Sequence, residues 1–357
     1  MKIFSTYKIG NIELKNRIIM APMTRSRALS NIPNEHMVEY YEKRADAGLI
    51  ITEGTAPSAN GLGYPRIPGI YNGDQIDGWK KVTTAVHAKG GKIFLQIMHT
   101  GRVSHVLNME EGTQILAPSS VALSGEMYTD VDGMKPYPVP KEMTSSDVEQ
   151  AQQEYVQAAI NAIKAGFDGV EVHGANGYLI DQFINTASNI RKDMYGGSIE
   201  NRSRFAIEVS KKVADAIGGD KTGIRISPYG VFNDMEIFES VDETFEYLAT
   251  ELGKLNLAYI HIVDHSSQGA PEVPQLIKDN IRGAFKGTFI ASGGLNLEKA
   301  ETVLNDEKGD LVAFGVPFIA NPDLVYRFKN NIELSNPNPD TFFTPGIEGY
   351  LDYPIAN

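Results

Sequence analysis

The chain has no cysteine in its 357 residues. That removes disulfides, thiolate nucleophiles, cysteine-ligated zinc and iron–sulfur clusters from consideration. It also lacks an excess of positive charge. Lys+Arg number 33 against 45 Asp+Glu, a net of −12, and an acidic body repels phosphodiester backbones, so nucleic acid is not an expected partner. No apolar run approaches the ~18–20 residues of a membrane-spanning helix. Charges at Lys2, Lys8, Glu13 and Lys15 fall where a signal peptide would need its apolar stretch, so the expected location is the cytoplasm, with no membrane partner. No G-x-G-x-x-G opens the first helical segment; the nearest string, Gly61-Leu-Gly63-Tyr-Pro-Arg66, lacks its third glycine and stands in a loop.

What remains is an ordinary globular composition, 42% hydrophobic and 22% charged. At about 150 residues per domain the length suggests two domains, although barrels of alternating strands and helices routinely exceed ~250 residues as one unit. Apolar runs bounded by turn signals predict eight strands, at Arg17–Met23, Leu49–Gly54, Lys92–Met98, Gly169–Gly174, Thr222–Pro228, Tyr259–Asp264, Thr288–Gly294 and Leu311–Val316. Helical spacing falls between them, at Asn34–Ala47, Asp74–Lys89, Ser146–Ala165, Glu200–Ile217, Val241–Lys254, Glu272–Phe285 and Leu297–Asn305, with a last helix beginning near Asn321–Pro322. Ser146 followed by Glu149 reads as a capping box, and Gly166 and Gly218 stand where helices would stop. Strand then helix, eight times, predicts an α/β protein, a (β/α)8 TIM barrel occupying residues 1–357 as a single domain. Three pieces exceed the repeat: an N-terminal β-hairpin in residues 1–16 expected to cap the barrel, an excursion after strand 3 at 100–144, and a tail from Asn331.

In such a barrel the chemistry sits at the C-terminal ends of the strands. Arg225 alternates with two isoleucines, so a buried guanidinium there needs an anion or an acceptor, either a ligand or a carboxylate such as Glu171. Gln96, ending strand 3, reads equally as a satisfied core amide or a ligand contact. His173 and Asn176 can present two donors to one oxygen, with the acidic O–H of Tyr178 nearby. Glycines at Ala291-Ser-Gly-Gly294 and Phe314-Gly315-Val316 suit either close approach to a phosphate or plain turns. His261 and His265 are four apart but span a strand and its loop, and no His-Glu-x-x-His exists, so no metal site is expected. A glycosidase would need two opposed carboxylates, of which Glu171 offers one.

These residues are embedded in strings that resemble the Old Yellow Enzyme family of FMN-dependent ene-reductases over nearly the whole chain. The strings are Asn16-Arg-Ile-Ile-Met-Ala-Pro-Met-Thr-Arg25, Leu95-Gln-Ile-Met-His-Thr-Gly-Arg102, the segment Gly169 to Phe183, the segment Arg191 to Arg202, Gly223-Ile-Arg-Ile-Ser-Pro228 and Asn321-Pro-Asp-Leu324. The resemblance implies tightly but non-covalently bound FMN across the barrel mouth. Pro22, Met23, Thr24, Gly54, Gln96 and Arg225 would meet its ring, and Ser292, Gly293, Gly315 and Val316 its phosphate. A cation beside the ring would stabilise the charge of the reduced flavin.

The resemblance also implies that NADPH or NADH reduces the flavin. His173 and Asn176 would hold the carbonyl oxygen of an enone-type small molecule while hydride reaches its β-carbon, with Tyr178 protonating the α-carbon. Tyr64, Met98 and Tyr350 match positions lining the substrate side. Thr24, where another branch has cysteine, places the chain nearer the yeast and enteric-bacterial branch. Met98 stands where most relatives have tryptophan, which predicts a roomier pocket. Val316 stands where an arginine usually grips the phosphate, which predicts easier loss of FMN. Other functions compatible with the residues are a flavin-binding redox sensor without turnover and a metal-dependent barrel hydrolase. The residues do not distinguish a monomer from a homo-oligomer.

Overall fold

Eight short parallel strands close on themselves in a computed structural model that describes residues 1–356. They are β1 (Ile18–Met20), β2 (Leu49–Ile51), β3 (Ile93–Ile97), β4 (Gly169–Gly174), β5 (Thr222–Ile226), β6 (Tyr259–Ile262), β7 (Thr288–Ala291) and β8 (Leu311–Phe314). Each pairs with its sequence neighbour, and β8 returns to β1 with Ala313 opposite Ile19. The (β/α)8 barrel expected from the strand–helix repeat is therefore the fold.

Side-chain alternation explains why these runs form a barrel rather than helices. Ile19, Leu49, Ile51, Phe94, Tyr259, Ile290 and Leu311 fill the interior. Their neighbours, among them Ile18, Met20, Ile50, Ile93, Leu95, Val170, Val172 and Ile224, are buried in the layer shared with the surrounding helices. Every expected strand exists, and seven of the eight are shorter than expected. The ladder stops at Met20 rather than Met23, and at Ile226 rather than Pro228. The residues just beyond, such as Pro22, Met23 and Pro228, leave the sheet to line the cavity above it.

The N-terminal hairpin pairs Tyr7–Ile9 with Ile12–Leu14 across Gly10, whose φ of +53° suits a tight turn. Ile9 and Leu14 insert among the interior residues, and the Tyr7 hydroxyl lies 3.1 Å from Thr288 Oγ1 at the start of β7. The hairpin thus caps the N-terminal end. The excursion after β3 carries a second hairpin, Glu126–Thr129 with Gly133–Pro136, and a small parallel pair, Leu116–Ala117 with Lys141–Glu142.

Helix boundaries follow the sequence signals with local exceptions. Helix Ser145–Lys164 is capped by Thr144, not Ser146. Thr144 Oγ1 accepts the Asp147 N–H at 3.1 Å, and Asp147 Oδ2 accepts the Thr144 N–H at 2.9 Å. The capping box lies upstream of the expected one because Thr144 is extended, with ψ 168°, and Ser146 already belongs to the first helical turn. Gly166 and Gly218 do end their helices, at φ +91° and +103°. Two one-turn helices, Leu179–Ile184 and Val316–Ala320, were not anticipated, and the last helix spans Leu324–Lys329. The C-terminal segment is tied back to the barrel mouth: Arg25 donates to the carbonyls of Phe342 and Gly349, and Arg27 to those of Thr341, Phe342 and Glu348. Among the described residues no helix is long and apolar enough to cross a membrane.

Candidate active site

A cavity of about 1430 Å³ opens at the C-terminal ends of the strands, the face where barrel chemistry is expected. Pro22, Met23, Thr24, Gln96, Met98, Arg225, Ser292, Gly293, Gly315 and Val316 line it together with Tyr64, His173, Asn176 and Tyr178. Two anticipated residues lie elsewhere. Gly54 is buried behind the wall, where a Cβ would come 2.4 Å from Met98 Sδ, so its part is to make room for Met98. Tyr350 does not reach the cavity. Its ring is fully buried, stacked 4.1 Å from that of Tyr40 and close to the guanidinium of Arg27.

Arg225 sits on β5, its side chain directed over the barrel. Its guanidinium is buried and hydrogen-bonds to nothing among the described residues, Nε included. Glu171, the alternative partner, is occupied. Its two oxygens take Gln96 Nε2 at 2.8 Å and His261 Nδ1 at 2.9 Å, all three side chains being buried. Glu171 therefore orients Gln96 with its amide oxygen free to accept, and His261 is a buried partner of Glu171 rather than a ligand. A buried, unpartnered guanidinium is costly unless a ligand supplies acceptors. A flavin ring would do so: its carbonyl edge would suit this cation, its ring N–H the Gln96 oxygen, and the Thr24 hydroxyl, which has no hydrogen-bond partner among the described residues, could donate to it.

The loops after β7 and β8 make the second part of the cradle. Gly293 has φ +114°, and a Cβ there would come 2.7 Å from Asp264 Cβ, so only glycine lets the chain pass. Ser292 Oγ donates to the Ile262 carbonyl at 2.7 Å. Asp264 lies against this turn with its charge met by Lys278 at 2.6 Å. Val316 is 41% exposed, an aliphatic side chain where an anion would sit. The backbone cradle fits a phosphate, but no lysine or arginine is committed to it.

Beside Arg225 stands His173 on β4, its register partner across the β4–β5 pairing, with Asn176 and Tyr178 in the loop that follows β4. His173 makes no hydrogen bond among the described residues, and its Nδ1 is buried without a partner. Burial, then the charge of Arg225, hold its imidazole well below the usual histidine range, so it is neutral and carries one N–H. Tyr178 donates to the Tyr64 hydroxyl at 3.2 Å, and burial pushes its phenol up to about 12. Asn176 Oδ1 lies 3.1 Å from His265 Nε2. Met127, Tyr128 and Tyr137, from the excursion after β3, close the substrate side.

His265 and Tyr137 are among the cavity residues that sequence reasoning passed over. His265 was weighed only as half of a zinc pair. Its place one residue beyond the expected end of the sixth strand was the signal for the C-terminal face. Tyr137 carried no signal, because the position of a long excursion is not written in local periodicity.

An eight-stranded barrel whose mouth holds an unpartnered arginine, an oriented glutamine amide and a glycine cradle is the scaffold of a flavin oxidoreductase. Comparison with known proteins agrees. The profile of the NADH:flavin oxidoreductase / NADH oxidase family matches residues 2–335. A 12-oxophytodienoate reductase of Oryza sativa subsp. japonica is 40% identical, across 99% of this chain and 94% of its own length. A probable flavin mononucleotide-dependent alkene reductase of Leishmania infantum is 42% identical, across 97% and 95%. The solved structure of an old yellow enzyme homologue from Zymomonas mobilis superimposes with a TM-score of 0.94 at 38% identity, covering 99% of both chains. The chain belongs to the Old Yellow Enzyme family and is an NAD(P)H-dependent FMN oxidoreductase.

Proposed function

We propose that the enzyme reduces the carbon–carbon double bond of α,β-unsaturated carbonyl compounds, using NADPH or NADH. The observation that carries this reading is the convergence of His173, Asn176 and Tyr178 on one side of the cavity. The first two offer donors with no partner among the described residues, and the third offers a proton. FMN, when bound between Arg225 and the Ser292–Gly293 turn, supplies the hydride that reaches the β-carbon.

The protein's own part is to hold the substrate and manage charge and proton. The neutral His173 imidazole and the Asn176 amide nitrogen donate to the carbonyl oxygen, where negative charge grows as the β-carbon is attacked. Donors fixed in advance stabilise that enolate-like charge without reorganising. Being neutral, His173 gains no competing counter-ion and holds no charge that the substrate must displace. Tyr178, with its phenol at about 12, keeps its proton across the working pH range and delivers it to the α-carbon. Tyr64, 3.2 Å away, can turn its hydroxyl to donate to the phenolate left behind, and solvent then restores the proton.

Steady NADPH consumption with 2-cyclohexenone tests the reading. Tyr178→Phe is expected to slow enone reduction by about 10²-fold or more while sparing reduction of the flavin by NADPH, since general acid catalysis contributes typically 10²–10⁴-fold. Equal loss in both half-reactions would remove Tyr178 from the proton path. The metal-dependent hydrolase reading has lost its basis, because His261 is bonded to Glu171 and His265 to Asn176.

A further inference from the structure

Asn176 is held at three of its four polar positions. Its backbone lies in the left-handed region, at φ +60°. Its N–H donates to Ser227 Oγ at 2.9 Å and its carbonyl accepts from Asn233 Nδ2 at 2.8 Å. The main chain is therefore pinned from the loop that follows β5. The side-chain amide is a separate matter, because rotating it by half a turn exchanges an acceptor for a donor at the same place. Only one group in the described protein distinguishes the two orientations: His265 Nε2, 3.1 Å from Asn176 Oδ1. Asn176 Nδ2 has no partner among the described residues, and both Asn176 and His265 line the cavity.

We propose that His265 is a positioning residue: by donating from Nε2 to Asn176 Oδ1, it turns the Asn176 amide so that Nδ2 faces the substrate, restricting the site to ligands that present an acceptor oxygen there. This rests on the enone-reductase reading above. The bond requires the Nε2–H form of the ring. Burial and the nearby Arg225 charge keep His265 neutral, which is compatible with that tautomer. The opposite amide orientation would place Oδ1 against the substrate carbonyl, acceptor against acceptor, beside the one donor that His173 supplies. Losing the His265 bond frees the amide to populate both orientations and costs the carbonyl part of its preorganised grip.

The test uses the flavin-loaded enzyme with 2-cyclohexenone. His265→Leu is expected to lower kcat/KM about tenfold, the scale of one neutral hydrogen bond. His265→Gln, whose amide N–H can reach the same oxygen, is expected to recover most of the loss. In an Asn176→Ala background, His265→Leu should add nothing, because a residue that acts only through Asn176 has nothing left to position. His265→Leu within twofold of the parent, no recovery in His265→Gln, or a full further tenfold loss on top of Asn176→Ala would each overturn the proposal. Should the parent enzyme itself fail to consume NADPH with 2-cyclohexenone, the enone reading falls. A parent that turns over normally, with an indifferent His265→Leu, removes only the role of His265.

Discussion

Val316 is where the cradle for the cofactor phosphate can be strengthened, and the size of the gain follows from the geometry. The Ser292–Gly293 and Gly315–Val316 turns offer backbone N–H groups, but the nearby cations are engaged. Lys278 is bound to Asp264 at 2.6 Å, and Arg25 and Arg66 donate to backbone carbonyls of the C-terminal segment. Val316→Arg adds a guanidinium at the lip of the cavity. A hydrogen bond to a charged group contributes about 1.5–3 kcal/mol when formed in protected surroundings. Position 316 is 41% exposed, and solvent screening pulls the gain toward the lower end, about 1.5 kcal/mol or roughly tenfold in affinity. Asp264 does not capture the new side chain, since Lys278 and Ser266 already satisfy it. Because association rates vary little among variants of one site, the tenfold should appear as slower release. The assay follows the recovery of flavin fluorescence after dilution of the loaded enzyme. Val316→Arg should slow FMN release about tenfold and leave riboflavin, which has no phosphate, unchanged. An unaltered FMN rate would refute the reasoning, and equal slowing of both flavins would show packing rather than charge.

Two stability predictions probe the frame around the site. Glu53 is fully buried, accepting from the Tyr41 hydroxyl at 3.2 Å, and burial pushes its carboxyl up to about 7. The folded value exceeds the unfolded one, so its stabilising effect is present below the ordinary carboxyl range and disappears as pH rises through about 7. The full loss is about 3 kcal/mol. Glu53→Gln should therefore gain on the parent in urea midpoint at pH 8 relative to pH 5, and an identical difference at both pH values would show that Glu53 does not titrate in this way. Thr144→Ala should cost about 1 kcal/mol through loss of the cap, whereas Ser146→Ala should be near neutral; thermal unfolding showing the reverse would return the cap to Ser146.

The sequence carried the barrel because each strand is a near-continuous run of Ile, Val, Leu and Phe between turn signals, a pattern that burial on both faces demands. It carried less about where each strand stops. Met23, Gly54 and Pro228 are continuous in composition with their strands, yet in space they leave the ladder at the barrel mouth. Local pattern marks apolar length, whereas hydrogen-bond pairing ends where the mouth begins. The site residues were legible where chemistry was conspicuous, as with a guanidinium between isoleucines at Arg225, or His173, Asn176 and Tyr178 in one loop. Tyr350 was misplaced because an aromatic in a tail fits substrate contact as readily as core. Only the tertiary neighbours Tyr40, Arg25 and Arg27 show that it packs beneath the rim. The Glu171 hub was half visible. Its proximity to Arg225 could be inferred from strand alternation, but its actual partners, Gln96 on β3 and His261 on β6, depend on side-chain directions inside the barrel that reach past the intervening β5.

The tethering of the C-terminal segment to Arg25 and Arg27 bears on how the holoenzyme is made. Phe342, Phe343, Thr344 and Pro345 form part of the cavity wall, and they are held there by residues encoded within the first tenth of the chain. The barrel itself closes only when Ala313 meets Ile19. Until those contacts form, the chain exposes two unpaired sheet edges and no complete wall. Contacts of such long sequence separation form late. A complete wall around the cofactor site is consequently a late product of folding, formed only once residues far apart in the chain have met.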